Sequence, residues 1–135
     1  MILVDTSAWV EFLRDTGSDV CEEVDRLLGS TTRIAITDPI LMEVLAGARD
    51  EAHLYDLRGL LGRADMEHCR PADYTSAALL YRRCRQEGET VRRLIDCLIG
   101  AVAVREGMSV LQRDEDFEVF ARHTALKIHR PKSTP

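Results

Sequence analysis

Apolar residues along the chain fall in short blocks that switch between unbroken runs and a helical repeat. Ile2 to Val4 is an unbroken run, the pattern of a buried strand, and it stops at Asp5. Thr6 and Ser7 then offer hydroxyl caps for a helix through Ala8, Trp9, Val10, Phe12 and Leu13. A second helix is predicted over about Asp19 to Leu28, with Val20, Val24, Leu27 and Leu28 on one face and Gly29 at its end, so that the two helices make a hairpin over a sheet. Arg33 to Ile36 predicts a second strand. Thr37-Asp38-Pro39 starts a helix that turns Leu41, Val44, Leu45 and Ala48 inward. Glu51 to Leu61 reads as a further amphipathic helix, Ala64 to His68 as a weak third strand, and Pro71 to about Glu87 as a long helix with Ala78, Leu79 and Tyr81 among its apolar positions. Leu94 to Glu106 is a nearly all-apolar helix closed by Gly107. Ser109 to Leu111 is a fourth strand, a short helix follows Arg113-Asp114-Glu115-Asp116-Phe117, and Ala125 to Ile128 is the last strand. Strands alternating with helices predict an α/β fold, a parallel sheet with helices on both faces.

A chain of 135 residues fits one hydrophobic core. Residues 1–129 are expected to form that single domain and 130–135 a disordered tail. No segment approaches the roughly 18 continuous apolar residues of a membrane span. The opening, Met1 to Asp5, is too short and acidic for a signal peptide, so a cytoplasmic protein with no membrane contact is expected. Cys21, Cys69, Cys84 and Cys97 lack zinc-site spacing and read as free thiols, with Cys84 and Cys97 as small buried hydrophobes. His53, His68, His123 and His129 show no helical pairing and read as surface or locally satisfied residues. The net charge of -5 runs against the basic footprint usual for proteins that bind polyanions. Carboxylates packed around divalent ions would cancel part of that charge. Basic residues do gather in one place: Arg82, Arg83, Arg85, Arg92 and Arg93 occupy the end of the long helix and the loop after it. They fit either a guide for a phosphate backbone or a solvated helix face.

Asp96 is the most informative position, because it interrupts a helix otherwise built from Leu94, Ile95, Cys97, Leu98, Ile99, Ala101, Val102 and Ala103. A buried carboxylate needs a cation, a hydrogen-bond network or a proton. An ion pair with Arg92 or Arg93 is the structural alternative to a metal. Asp5 and Asp114 lie at or just past the carboxyl ends of apolar strands, the edge where open parallel sheets bind ligands, although helix capping alone explains either one. Glu43 stands one turn into a helix that starts at the same edge. Four converging acids repel one another, and hard divalent cations with oxygen ligands are the usual resolution. Such a centre activates water and stabilises charge on a phosphoryl oxygen. No Ser-His-Asp, reactive-cysteine or glycine-rich phosphate-binding pattern competes with it.

The start M-I-L-V-D-T-S-A-W-V, the stretch T-D-P-I-L-M-E-V-L-A-G, the helix R-L-I-D-C-L-I-G-A-V-A and the segment V-L-Q-R-D-E-D-F together resemble the PIN-domain ribonucleases. More narrowly, they resemble the VapC-type toxins of toxin-antitoxin pairs. The resemblance implies a five-stranded parallel sheet in the order 3-2-1-4-5. It also implies magnesium- or manganese-dependent endoribonuclease activity on RNA, and neutralisation by a cognate antitoxin. Asp5, Glu43 and Asp96 match the first three family acids and Asp114 the fourth, all four as catalytic residues, with Asp5, Asp96 and Asp114 as metal ligands. Asp116 falls where many relatives carry a further acid and is expected to be an accessory metal or water ligand. Thr6 or Ser7 matches the hydroxyl that often follows the first acid, whereas Gln112 departs from the smaller or different polar residue of relatives. A homodimer is expected, with further apolar surface, Trp9, Val10, Phe12 and Leu13, meeting the antitoxin. A non-catalytic PIN-like binding module is the rival reading, which the presence of all four acids disfavours. An aspartate-nucleophile phosphatase would need an acid where Ser7 stands and a lysine near the site, yet the only lysines are Lys127 and Lys132.

Overall fold

The computed structural model describes residues 1–131. Strands β1 (Ile2–Val4), β2 (Ile34–Ile36), β3 (Asp65–Met66), β4 (Ser109–Leu111) and β5 (Lys127–Ile128) form one sheet in the order β3-β2-β1-β4-β5. Every pairing is parallel, with Leu3 opposite Ala35 on one side and Val110 on the other. This is the architecture and strand order that the sequence resemblance implies. Leu3, Val4, Ala35, Val110 and Leu111 are wholly buried, which explains why the three central strands read as unbroken apolar runs.

Seven helices among the described residues flank the sheet: α1 (Thr6–Leu13), α2 (Asp19–Leu28), α3 (Asp38–Ala46), α4 (Glu51–Leu61), α5 (Pro71–Gln86), α6 (Leu94–Glu106) and α7 (Glu115–His123). Local chemistry sets their ends. Asp5, Ser18, Asp50 and Asp114 each accept a backbone N–H at a helix start, and Gly107 closes α6 at φ 65°, a left-handed turn that glycine adopts without strain. In α6 every residue from Asp96 to Ala103 is buried. The helix packs along α5 and α7, and Gly100 admits the rings and methyls of Phe120 and Leu126 close to its backbone.

The two edge strands are shorter than the sequence predicts. Ala64 to His68 narrows to Asp65–Met66 and Ala125 to Ile128 to Lys127–Ile128, because an edge strand has a ladder on one side only and each keeps just two registered pairs. Arg33, expected inside the second strand, lies just outside it and pairs with Asp65 at 2.9 Å. All four cysteines are free, and Cys84 and Cys97 are fully buried. The histidines have local partners: His68 lies 2.9 Å from Asp38 and His129 2.6 Å from Glu23, His123 meets Glu89, and His53 accepts from the Arg49 N–H. Arg130, which the sequence assigns to the tail, pairs with Glu118, while 132–135 lie outside the described residues.

From β1 the chain builds outward through β2 to β3, then returns by way of α5 and α6 to lay β4 against the other side of β1. The direction of winding therefore reverses between β1 and β4. Diverging connections at such a reversal leave a crevice at the carboxyl ends of the strands.

Candidate metal centre

That crevice is bounded by the loop after β1, the loop after β4 and the first turn of α6. Asp5 follows the last residue of β1, and its backbone N–H donates to Leu111 O at 3.0 Å, which ties it to the end of β4. Its Oδ2 accepts from the Ser7 backbone N–H at 3.0 Å and from Ser7 Oγ at 2.6 Å. Its Oδ1 is buried and has no hydrogen-bond partner. Ser7 Oγ also accepts from the Arg113 N–H at 2.9 Å, so one hydroxyl clamps the two loops together. Asp114 caps α7 through the Asp116 N–H at 2.9 Å, and its own N–H donates to Gln112 Oε1 at 2.5 Å. Gln112 Nε2 donates onward to Glu118.

Asp96 enters from the first turn of α6 and is 2% exposed, with Oδ2 buried and unpartnered. Single carboxylate oxygens of Asp96, Asp114 and Asp116 lie within 4.8 Å of one another. Glu43 reaches in from α3, where Thr6 Oγ1 donates to its Oε1 at 2.8 Å and the Arg93 guanidinium donates to Oε2. Asp5, Glu43, Asp96 and Asp114 all line one cleft of about 260 Å³. The structure thus brings together the four acids and the two hydroxyls singled out in the sequence.

Burial dominates the electrostatics. Desolvation pushes the Asp5 carboxyl up to about 6, reinforced by the charges of Glu43 and Asp114 and opposed by the two Ser7 hydrogen bonds. Asp96 is pushed up to about 8, first by burial, then by the Asp116 carboxylate and the charges of Asp5 and Asp114, with Arg93 opposing. Two oxygens that water cannot reach and no donor satisfies, set among other carboxylates, match the donor set of a hard divalent cation. Asp96, Asp114 and Asp116 offer oxygens close enough together for one ion, and Asp5 lines the cleft beside Asp96 and Asp114 with an unpartnered oxygen of its own.

The alternative ion pair for Asp96 does not form. Arg92 instead approaches Asp114 at 3.0 Å and Asp116 at 3.6 Å, and Arg93 takes Glu43. Asp116 is 2% exposed, and its two oxygens accept the backbone N–H groups of Arg92 at 3.1 Å and Arg93 at 3.2 Å. It pins the turn that launches α6, a role that the sequence did not suggest. The five arginines divide. Arg83 pairs with Glu87 at the end of its own helix, Arg85 lies over the Tyr81 ring, Arg82 is exposed, and none of the three pairs with the acid cluster among the described residues. Arg113 and Glu11, which pair at 2.9 Å, also line the cleft and escaped the sequence reading. The signal available for Arg113 was its place directly before Asp114.

The PIN domain family matches residues 2–123 of the chain. Ribonuclease VapC11 of Mycobacterium tuberculosis is 47% identical over 129 residues, covering 94% of this chain and 96% of the relative. Among solved structures, VapBC2 of Rickettsia felis bound to a promoter DNA fragment superposes with a TM-score of 0.76 at 19% identity, covering 96% of this chain and 98% of that one. DNA-bound VapBC of Salmonella typhimurium gives 0.75 at 20% identity over 96% and 98% of the two chains.

Proposed function

The chain belongs to the PIN-domain family, and from that premise we propose that it is a magnesium- or manganese-dependent endoribonuclease, the toxin of a toxin-antitoxin pair. The observation that carries the reading is the pair of buried, unpartnered carboxylate oxygens, Asp5 Oδ1 and Asp96 Oδ2, facing a cleft at the reversal of the sheet. Asp5, Asp96 and Asp114 would hold the cation, with Asp116 and Glu43 as neighbouring acids. When bound, that ion supplies Lewis-acid charge to the phosphoryl oxygens and lowers the pKa of a coordinated water.

The chain's own residues orient and hold. Ser7 fixes the Asp5 carboxylate and joins its loop to Arg113. Thr6 and Arg93 hold Glu43 from opposite oxygens, and Asp116 sets the start of the helix that carries Asp96. The two cleft hydroxyls, Ser7 and Thr6, are committed to holding Asp5 and Glu43, so RNA is cleaved by water without a covalent enzyme intermediate. Arg92 and Arg93 stand beside the acids as guides for the RNA backbone. Arg82, Arg83 and Arg85, away from the cluster, take at most an outer part in that guidance.

Residues 1–129 form the nuclease unit, which works as a homodimer in the cytoplasm. No helix among the described residues is long and apolar enough to cross a membrane. The antitoxin covers the apolar side of the cleft, where Val10 and exposed Leu13 border an adjoining groove backed by buried Val44 and Leu57; Trp9, expected on this surface, is instead wholly buried in the core. Support for a protein partner comes from the VapBC assemblies whose toxin chains share this fold.

The test is cleavage of total bacterial RNA by the purified chain with manganese, with chelator, and with a phosphomonoester in place of RNA. Cutting of RNA alone, and only with the metal, is expected. Cutting that survives chelator contradicts the metal assignment, and intact RNA in every condition favours the non-catalytic module. Co-purification with the product of the adjacent gene tests the partner, and light scattering over a concentration series tests the dimer.

A further inference from the structure

Five carboxylates line the cleft, those of Asp5, Glu11, Glu43, Asp96 and Asp114, against two guanidinium groups, Arg93 and Arg113. A phosphodiester entering such a site meets like charge on every wall, so cations held at fixed points decide where its oxygens settle. The two arginines are not equivalent. Both side chains are about half exposed, but Arg113 pairs with Glu11, away from the buried acids.

Arg93 is built in more firmly. Its backbone N–H donates to Asp116 and its carbonyl accepts from the Asp96 N–H at 3.2 Å, so its Cα is fixed on both sides by site acids. Its guanidinium faces the carboxylates of Asp96, Glu43 and Asp114. One nitrogen donates to Glu43, itself held by Thr6, and the side chain makes no other hydrogen bond among the described residues. The remaining N–H donors of a planar fork are therefore left open on the cleft side, in the arrangement that matches two oxygens of one phosphate.

Resting on the ribonuclease reading, we propose that Arg93 is a catalytic residue that binds the non-bridging oxygens of the scissile phosphodiester, with Glu43 and Thr6 as the positioning residues that aim it. In the hydrolysis the P–O bond to the leaving ribose oxygen breaks as the bond to the water oxygen forms. That water gives up a proton to solvent, and the leaving oxygen takes one up. Arg93 exchanges no proton and acts by charge and geometry. Glu43 thereby gains a function apart from metal binding: it keeps the fork pre-oriented before RNA arrives.

The experiment compares wild type, Arg93→Gln, Arg93→Lys and the exposed α4 control Arg58→Gln on total bacterial RNA with manganese. Manganese affinity is measured calorimetrically on the same proteins without RNA. Loss of one fixed donor to the transition state predicts a fall of roughly 100-fold in rate at saturating RNA for Arg93→Gln. Manganese should bind that variant as tightly as wild type or more tightly. Arg93→Lys keeps the charge without the fork and should recover part of the rate, and Arg58→Gln should match wild type. Wild-type cleavage by Arg93→Gln overturns the proposal, and so does a loss of manganese affinity that accounts for its whole rate deficit. If Arg93→Gln does not fold, Arg93→Lys carries the test, and a lysine variant as fast as wild type overturns the bidentate contact. Wild-type protein that binds manganese yet leaves RNA intact overturns the ribonuclease reading and this inference with it.

Discussion

Replacing Asp96 by asparagine is expected to end cleavage while making the metal-free protein more stable. The carboxyl is 2% exposed, and burial with neighbouring carboxylates raises it from 3.8 to about 8. Below pH 3.8 both folded and unfolded chains hold the proton, and Asp96 costs nothing. From there up to about 8 the unfolded chain has released a proton that the folded chain retains, so stability falls with rising pH, and above about 8 the loss is complete. At about 1.4 kcal/mol per pH unit, the penalty at pH 7 is on the order of 4 kcal/mol. Asparagine removes the ionisation, so urea melts with chelator at pH 7 should show a gain of about 2 kcal/mol or more, shrinking toward zero at pH 4. Manganese at 100 times its dissociation constant should stabilise the wild type by about 2.7 kcal/mol and the variant much less. A structural ion pair would do the opposite, because removing one partner strands the other charge at a cost of about 3 kcal/mol. A variant that melts lower in chelator, or a wild type whose stability is flat between pH 4 and 8, refutes the reasoning.

The Asp73–Arg105 pair, two contacts of 2.9 Å around a carboxylate 2% exposed, is structural: Arg105→Met should cost about 3 kcal/mol in urea melts without changing the rate per folded molecule. Arg105 holds Asp73 below the usual carboxylate range, so this stability is present above pH 3.8 and lost as pH falls through the lower folded value; the acid limb of the wild-type melt series should flatten in the variant. Ser7→Ala removes a donor to Asp5 and an acceptor for Arg113, and should lower the cleavage rate roughly tenfold while costing about 1 kcal/mol in a thermal melt. Gln112→Glu sets a third charge between Asp114 and Glu118, and calorimetry should show its effect on manganese binding, where an unchanged affinity would deny Gln112 any part in placing Asp114. Replacing Arg83 and Arg85 together by glutamine should alter stability by about 0.5 kcal/mol or less and leave the salt dependence of RNA binding nearly unchanged.

What sequence reading reached depended on whether the signal was local. Asp96 stood out because one acid in an otherwise apolar helix contradicts its surroundings, and the buried strand runs declared β1, β2 and β4 in the same way. Asp5 and Asp114 were marked by position at strand ends, which also makes them helix caps, and both roles are present together. Glu43 carried only the weak signal of its place one turn into a helix at the binding edge, later joined by family resemblance, since its partners Thr6 and Arg93 lie 37 and 50 residues away. The division of the arginine cluster was equally hidden. Arg92 and Arg93 differ from Arg82, Arg83 and Arg85 through the turn that Asp116 pins from 23 or 24 residues downstream. The Glu23–His129 contact, spanning 106 residues, has no sequence trace at all. Edge strands β3 and β5 were legible in place but not in length, because their ends are set by one neighbour's register rather than by their own residues.

The central claim is that Asp5 and Asp96 are metal ligands, and anomalous X-ray scattering from crystals grown with manganese tests it most directly. A peak is predicted in the cleft about 2.1 Å from a carboxylate oxygen of each, with Asp114 alongside, and absent from crystals of Asp96→Asn. Manganese bound only at other acids, with Asp5 Oδ1 and Asp96 Oδ2 still unpartnered, would contradict the account.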